Sequence, residues 1–332
     1  MAITMKELAK MLNLSQSTVS RALNHKEGSH MRPEVGAMIR EAARRAGFHP
    51  NMTATALRKG STDLIAVSLP SPFIMRNAEL SAALHHEIKQ NGYIPFFVYH
   101  EDYEDLHAKT NMLLSMGLAG LITIEPNSLP VTPEFPVVGF CYYDDRFDVV
   151  QPDQKQAIRK ILAHLQENGH RYVAVIGHAG DMRYNHFFNL LNEYGLECPQ
   201  HCCIFFSGDR ILFNTGSQNF FDQLMQQCQN KERPTAIITH NDQIAIRLMT
   251  RIQQQGFSIP GDFSIIGYDD TNMAQCVYPT LTSLSPGHPG EVAKTMLSLL
   301  LDRKKDPSRP LQRVSIQPDL IIRNSSGPAP QK

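Results

Sequence analysis

The sequence predicts a small all-α helix-turn-helix head joined to an α/β core of two lobes, each built on a parallel sheet. Three observations predict it. The first fifty residues hold three short segments with apolar residues at helical spacing and clear start and stop signals. From Asp63 onward, strand-like apolar runs alternate with helical patterns, and the alternation restarts after Asp153, which implies two helix-covered parallel sheets. Charge also divides along the chain. Residues 1–60 hold ten Lys and Arg against four Asp and Glu, a surplus of +6, in a chain balanced at 32 and 32, so the remainder carries −6.

The head spans residues 1–50. Thr4 followed by Glu7 is a capping box, and Leu8, Met11 and Leu12 supply the apolar face of a first helix. Asn13 suits a left-handed turn, after which Ser15 caps a second helix running through Leu23. Pro33 opens a third helix in which Val35, Ile39 and Ala42 or Ala43 recur at helical spacing, and Gly47 ends it. The GSHM at 28–31 is read as native, because the chain continues sensibly around it. Residues 51–60, NMTATALRKG, are too short for a stable isolated helix and are expected to be a hinge that orders on binding.

The core is expected over 61–323, with lobes of about 61–150 and 151–285 followed by a C-terminal return. In the first lobe LIAVSLP, IPFFVYH, AGLITIE and FPVVGF read as strands, with helices at 76–91 and 104–116. The second run reads as helix 153–168, YVAVIGH, helix 184–194, CIFFS, helix 217–229, AIITHND, helix 243–255 and SIIGYDD. Ligands of such sheets bind beyond the carboxyl ends of the strands, here between facing lobes. The tail 324–332, NSSGPAPQK, is expected to be disordered.

Composition narrows the function classes. Hydrophobic residues at 42% and charged residues at 19% support folded cores and argue against disorder. No apolar run approaches the roughly 18 residues that span a bilayer, and the N-terminus has no apolar signal region, so a cytoplasmic protein without membrane contact is expected. The six cysteines have no disulfide-like spacing and are expected as thiols. Cys198, His201, Cys202 and Cys203 lack a second ligand pair at a suitable spacing, so no metal and no cofactor is expected. His85-His86, Asp144-Asp145 and Asp269-Asp270 read as surface features of helices or loops. With no GxSxG, P-loop or HExxH, the chain is not expected to be an enzyme.

Chemistry concentrates on the second helix. Val19, Ala22 and Leu23 share one face, while Gln16, Ser17, Ser20, Arg21 and Asn24 point the other way. A polar second helix of this kind fits the major groove of DNA. Arg21 can engage a guanine edge through two donors, and Gln16 can pair with adenine or another base. Base contacts are therefore expected from Gln16, Ser17 and Arg21, and phosphate contacts from Thr4, Ser15, Thr18, Asn24 and His30. On charge alone, a merely solvated basic helix is the competing reading.

The stretch LAKMLNLSQSTVSRALN, followed by GFHPNMTATAL, resembles the LacI–GalR family of bacterial repressors. The resemblance implies that 51–59 is a hinge helix folding on DNA, with Asn51, Ala54 and Leu57 at the minor groove and Leu57 wedged into a base step, a distortion offset by the contacts that bending permits. It extends over nearly the whole chain. Asp153 with AHLQENGHRYVAVIGH, then ITHNDQIAI, then GFSIPGDFSIIGYDDTNMAQCVYPTLTSLSP, is similar to the family's periplasmic-binding-protein-like core. This implies a small-molecule, sugar-like effector at Phe73, Asp153, Arg183, Asn241 and Asp269. An arginine fork and a carboxylate can each engage vicinal hydroxyls, an amide both donates and accepts, and an aromatic face stacks on a ring. It further implies a homodimer on a pseudo-palindromic operator, joined by the helix near 76–91 and the segment around Cys276–Tyr278, that represses carbohydrate-utilisation genes.

The chain departs from the family's pattern at several positions. Asn13 stands for a turn glycine, Arg32 for a capping serine and His186 for a glycine after the effector arginine. Cys141 replaces an acid and Pro286 a ligand-contacting glutamine, which removes two hydrogen-bonding partners from sugar recognition. Two outcomes follow: a different effector, or a cleft with little ligand affinity. Control by a protein partner or a non-sugar metabolite stays open, as does a sugar-binding protein without gene control. An enzyme of the interlobe cleft would need a nucleophile–base pair or a metal, and neither is evident in the sequence.

Overall fold

The computed structural model describes residues 3–24, 31–48, 62–71, 75–124, 135–140, 145–206, 220–228 and 232–331. The chain divides into two compact units, Met1–Thr62 and Asp63–Lys332.

The first unit holds α1 (Met5–Met11), α2 (Gln16–Asn24) and α3 (Pro33–Arg45). Most of the apolar residues read from the sequence meet in one small core of Leu8, Ala9, Val19, Ala22, Ile39, Ala43 and Phe48, but Met11, expected on the apolar face of α1, is 64% exposed at the end of the helix. Asn13 takes the left-handed conformation, φ 53°, at the turn between α1 and α2, which asparagine tolerates better than most side chains. Arg32 precedes α3 without a side-chain cap bond, and Pro33 starts the helix with its φ already set.

In the second unit, β1 (Leu64–Pro70), α4 (Met75–Gln90), β2 (Ile94–His100), α5 (Tyr103–Ser115), β3 (Gly120–Thr123), β4 (Val137–Phe140) and β5 (Asp148–Pro152) make the first lobe. The second lobe runs through α6 (Gln154–Glu167), β6 (Val173–His178), α7 (Arg183–Leu190), β7 (Cys203–Phe206), α8 (Phe220–Gln227), β8 (Ala236–Thr239), α9 (Asp242–Gln254), β9 (Ser264–Tyr268) and β10 (Thr282–Ser285). The chain then returns. Helix α10 (Pro289–Lys305) and β11 (Arg313–Ile316) rejoin the first lobe, and β12 (Asp319–Ile321) closes the second. The sheets have the orders β11-β5-β4-β3-β1-β2 and β12-β10-β9-β8-β6-β7, and only β12 runs antiparallel. Register follows the apolar runs, with Leu64 opposite Ile94 and Val173 opposite Ala236.

Each sheet is buried on both faces, as parallel sheets require. In the first lobe, α4 and α10 cover one face around Leu80, Leu84, Met296 and Leu300, and α5 covers the other through Leu106 and Leu113. In the second, α8 and α9 cover one face and α6 and α7 the other. The return is held by a buried ion pair, since Arg303 on α10 donates Nε and Nη2 to Asp148 on β5 at 3.0 and 3.1 Å. Gln312 N adds a 2.7 Å bond to the same carboxylate.

The expectation of a disordered tail is overturned for residues 324–331. Ser325 exchanges bonds with Ile265 (2.6 and 2.7 Å), Ser326 sits 2.8 Å from His164 Nε2, and Ala329 N donates to Asn168 O at 2.8 Å. Backbone and hydroxyl hydrogen bonds order this polar segment, which apolar content alone does not foretell.

Candidate functional site

The head presents one coherent polar face. Val19 and Ala22 are buried, whereas Gln16, Ser17 and Arg21 are exposed on the opposite side of α2. Arg21 Nε donates 3.3 Å back to Ser17 O, one turn earlier, so the guanidinium leans along the helix toward its N-terminus. Ser15 Oγ accepts from Thr18 N at 3.1 Å and lies 2.8 Å from the hydroxyls of Ser17 and Thr18. These three hydroxyls thus form one cluster at the first turn of α2, where unpaired N–H groups favour a phosphate. Thr4 is engaged in its own cap, accepting from Glu7 N at 3.3 Å while its N–H donates to Glu7 Oε2 at 2.8 Å. Asn24 is the last residue of α2. His30, Asn51, Ala54 and Leu57 lie outside the described residues.

Electrostatics separate the head's bases. Arg44 and Arg45 both bind Glu41 at 2.8 Å, and their hydrogen bonds hold its carboxyl down to about 2. Lys6, Lys10, Arg21 and Arg32 are exposed outside that cluster.

In the core, Arg183, Asn241 and Asp269 stand at the carboxyl ends of β6, β8 and β9, as the fold requires of a ligand site. Arg183 Cζ lies 4.1 Å from the Tyr268 ring centroid, next to Asp269. Its fork is already engaged. Nε and Nη2 donate to Asp181 Oδ2 at 2.8 and 2.5 Å, and Nη1 donates to His240 O at 3.2 Å. Burial pushes Asp181 up, but the charge and hydrogen bonds of Arg183 outweigh it and hold the carboxyl below its ordinary value. The expected arginine fork for vicinal hydroxyls is therefore an internally neutralised pair, a relationship hidden in the short D-x-R spacing.

Asn241 caps α9, its Oδ1 accepting from Ile244 N at 3.0 Å, so its carbonyl end is committed to the helix. Asp269, directly after β9, has φ 107°, in the region glycine favours, a backbone strain held by the structure around it. Burial pushes its carboxyl up to about 7 against the opposing pull of Arg76. Asp153 caps α6 through Gln156 N at 2.9 Å and bonds Ile316 O through its own amide, at the crossover between lobes. Phe73 and Cys141 lie outside the described residues.

The structure adds residues that the sequence reading missed. Asp242, fully buried, accepts from Thr271 N at 2.7 Å and from the Ser283 hydroxyl, fastening the loop after β9 to the start of α9. From the first lobe, Arg76 on α4 donates 2.9 Å to Gly287 O and 3.4 Å to Asp269 O, and Glu79 accepts from Asn272 N at 2.8 Å. These bonds bridge the lobes beside buried Pro286, which offers no side-chain hydrogen bond. A cavity of about 300 Å³ opens at the end of β6, lined by His178, Asp181, Tyr184, Asn185, Phe188 and Phe205 among others. Gly177 makes room for the Tyr184 ring in the cavity wall: a Cβ there would stand 2.0 Å from the Tyr184 hydroxyl.

Comparison with known proteins agrees with both parts. Residues 4–51 match the model of bacterial regulatory proteins of the lacI family, and 162–326 match a periplasmic binding protein-like domain. The chain is 27% identical over 298 residues to the NTD biosynthesis operon regulator NtdR of Bacillus subtilis (strain 168), covering 85% of this chain and 87% of that one. It is 25% identical over 342 residues to the HTH-type transcriptional repressor PurR of Actinobacillus pleuropneumoniae serotype 3 (strain JL03), covering 97% and 98%. Among solved structures, the Lac repressor bound to ONPG in its repressed state superposes with a TM-score of 0.80 at 21% identity, covering 98% and 100%. A transcriptional regulator CelR–cellobiose complex superposes with a TM-score of 0.69 at 18% identity, covering 97% and 99%. Among the described residues, no helix is long and apolar enough to cross a membrane.

Proposed function

The chain belongs to the LacI family of bacterial regulatory proteins, DNA-binding regulators of transcription and not enzymes, and from that premise we propose a cytoplasmic, homodimeric repressor of carbohydrate-utilisation genes under the control of a sugar-like effector. The observation that carries the DNA-reading part is the exposed polar face of α2 over a buried apolar one. Gln16, Ser17 and Arg21 meet base edges, while Ser15, Thr18, Asn24, Thr4 and His30 hold phosphates. Asn51, Ala54 and Leu57 enter the minor groove. Two heads then read successive major grooves of a pseudo-palindromic operator. Tyr278, 89% exposed, marks the segment proposed to join two copies together with α4.

The effector part rests on the second lobe. With Arg183 neutralised by Asp181, the carboxyl ends of β8 and β9 offer an uncharged ligand an amide at Asn241 and a carboxyl at Asp269, and the separate cavity at the end of β6 adds aromatic rings at Tyr184, Phe188 and Phe205. Effector and DNA affinities are coupled through the lobes, and that coupling is reciprocal. A second reading, control by a non-sugar metabolite, is favoured by Pro286, buried where the family's ligand-contacting glutamine would stand.

In-vitro selection of DNA bound by the full-length protein, repeated with a panel of sugars, tests both parts. The expected result is an enriched two-fold-related site whose binding one sugar shifts. No enrichment overturns the DNA part. Enrichment that no sugar shifts overturns the sugar part in favour of the second reading.

A further inference from the structure

We propose that His201, Cys202 and Cys228 form a site for a thiophilic divalent cation, zinc by the softness of its donors, in the second lobe at the end remote from the effector residues. Cys202 begins the segment that enters β7, and Cys228 follows α8. In sequence they stand 26 residues apart, so linear spacing offers no second ligand for the HCC run. The fold supplies one. The two sulfurs are 3.9 Å apart, and the His201 imidazole joins them with all three donor atoms within 4.8 Å of one another. Two thiolates about 2.3 Å from a tetrahedral zinc stand roughly 3.8 Å apart, so the sulfur pair already has the edge length of such a site.

The surroundings suit a metal. Both cysteines are buried, which shields the sulfurs from oxidants, while the partly exposed His201 leaves the fourth tetrahedral position to a water. His201 Nε2 lies 3.3 Å from the Glu232 carbonyl, the kind of outer bond that fixes a ligating imidazole. Cys198 and Cys203 are the contrasting pair: their sulfurs are 3.5 Å apart, no imidazole among the described residues joins them, and Cys203 turns to the Pro199 carbonyl. Ligation releases the two thiol protons to solvent and ties the end of α8 to the start of β7. The proposal is independent of DNA reading and of effector choice.

Cobalt(II) reports such a site directly. Full-length reduced protein is titrated with Co²⁺ and followed by absorption, then back-titrated with Zn²⁺. The expected result is thiolate-to-cobalt charge transfer with intense tetrahedral bands at one equivalent, displaced by Zn²⁺. These bands disappear in Cys228→Ala and remain in Cys276→Ser. His201→Ala weakens the site by more than the roughly tenfold that losing an outer-shell partner costs. Wild type without thiolate bands at one equivalent, or Cys228→Ala retaining them, overturns the proposal. Should Cys228→Ala fail to fold, alkylation of wild type in mild urea decides. Zn²⁺ that protects Cys202 and Cys228 from labelling supports the site, and equal labelling of the two with and without Zn²⁺ overturns it.

Discussion

Arg183 and Asp181, two residues apart at the start of α7, form an ion pair in which Nε and Nη2 reach the same carboxylate oxygen. Their side chains are only 12% and 17% exposed, so water does little to screen or replace the bond. Removing one partner leaves a buried charge without compensation. Asp181→Ala is expected to cost about 3 kcal/mol in urea unfolding, and the double replacement Asp181→Leu with Arg183→Leu to recover most of it. Equal losses in the single and double variants would show that the pair is not the source of the cost.

Gly177→Ala tests the aromatic wall of the cavity. The new methyl would overlap Tyr184, whose ring is packed in the second-lobe core, and neither the strand nor the ring can retreat cheaply. The expected cost is about 2 kcal/mol, with weaker effector binding measured by calorimetry on the folded fraction.

Asp269 predicts a pH dependence. Its folded carboxyl titrates at about 7, above the ordinary 3.8, because burial disfavours the charge. The folded state therefore holds this proton more tightly than the unfolded chain. Its stabilising contribution is full below pH ~4 and is lost as pH rises through about 7. Asp269→Asn removes the dependence, so the stability of wild type relative to the variant falls between pH 5 and pH 8 in denaturant unfolding. A difference that is flat over that range contradicts the assignment.

Much of this was legible in the sequence because it is local. Capping at Thr4, the left-handed Asn13 and the two faces of α2 depend on neighbours within a turn, and the strand–helix alternation of the core is a property of runs. What escaped depends on distant partners. Nothing near Arg76 in sequence announces Gly287 or Asp269, and nothing near Asp148 announces Arg303. Asn241 reads as a ligand residue from its family offset, yet its Oδ1 is spent on capping α9. Its neighbour Asp242, the residue that fastens the loop beside the site, carries no local signal beyond its place in HND. The tail failed for a related reason, since serines and a glycine order there by bonding strand ends far away in the chain.

Whether the exposed face of α2 reads base edges is decided by comparing the DNA selected by wild type with that selected by Arg21→Ala. Arg21→Ala is expected to lose about 1–3 kcal/mol at one base pair in each half-site, with relaxed preference there and an unchanged preference elsewhere. An identical base preference in the two proteins, whatever the change in overall affinity, would contradict it.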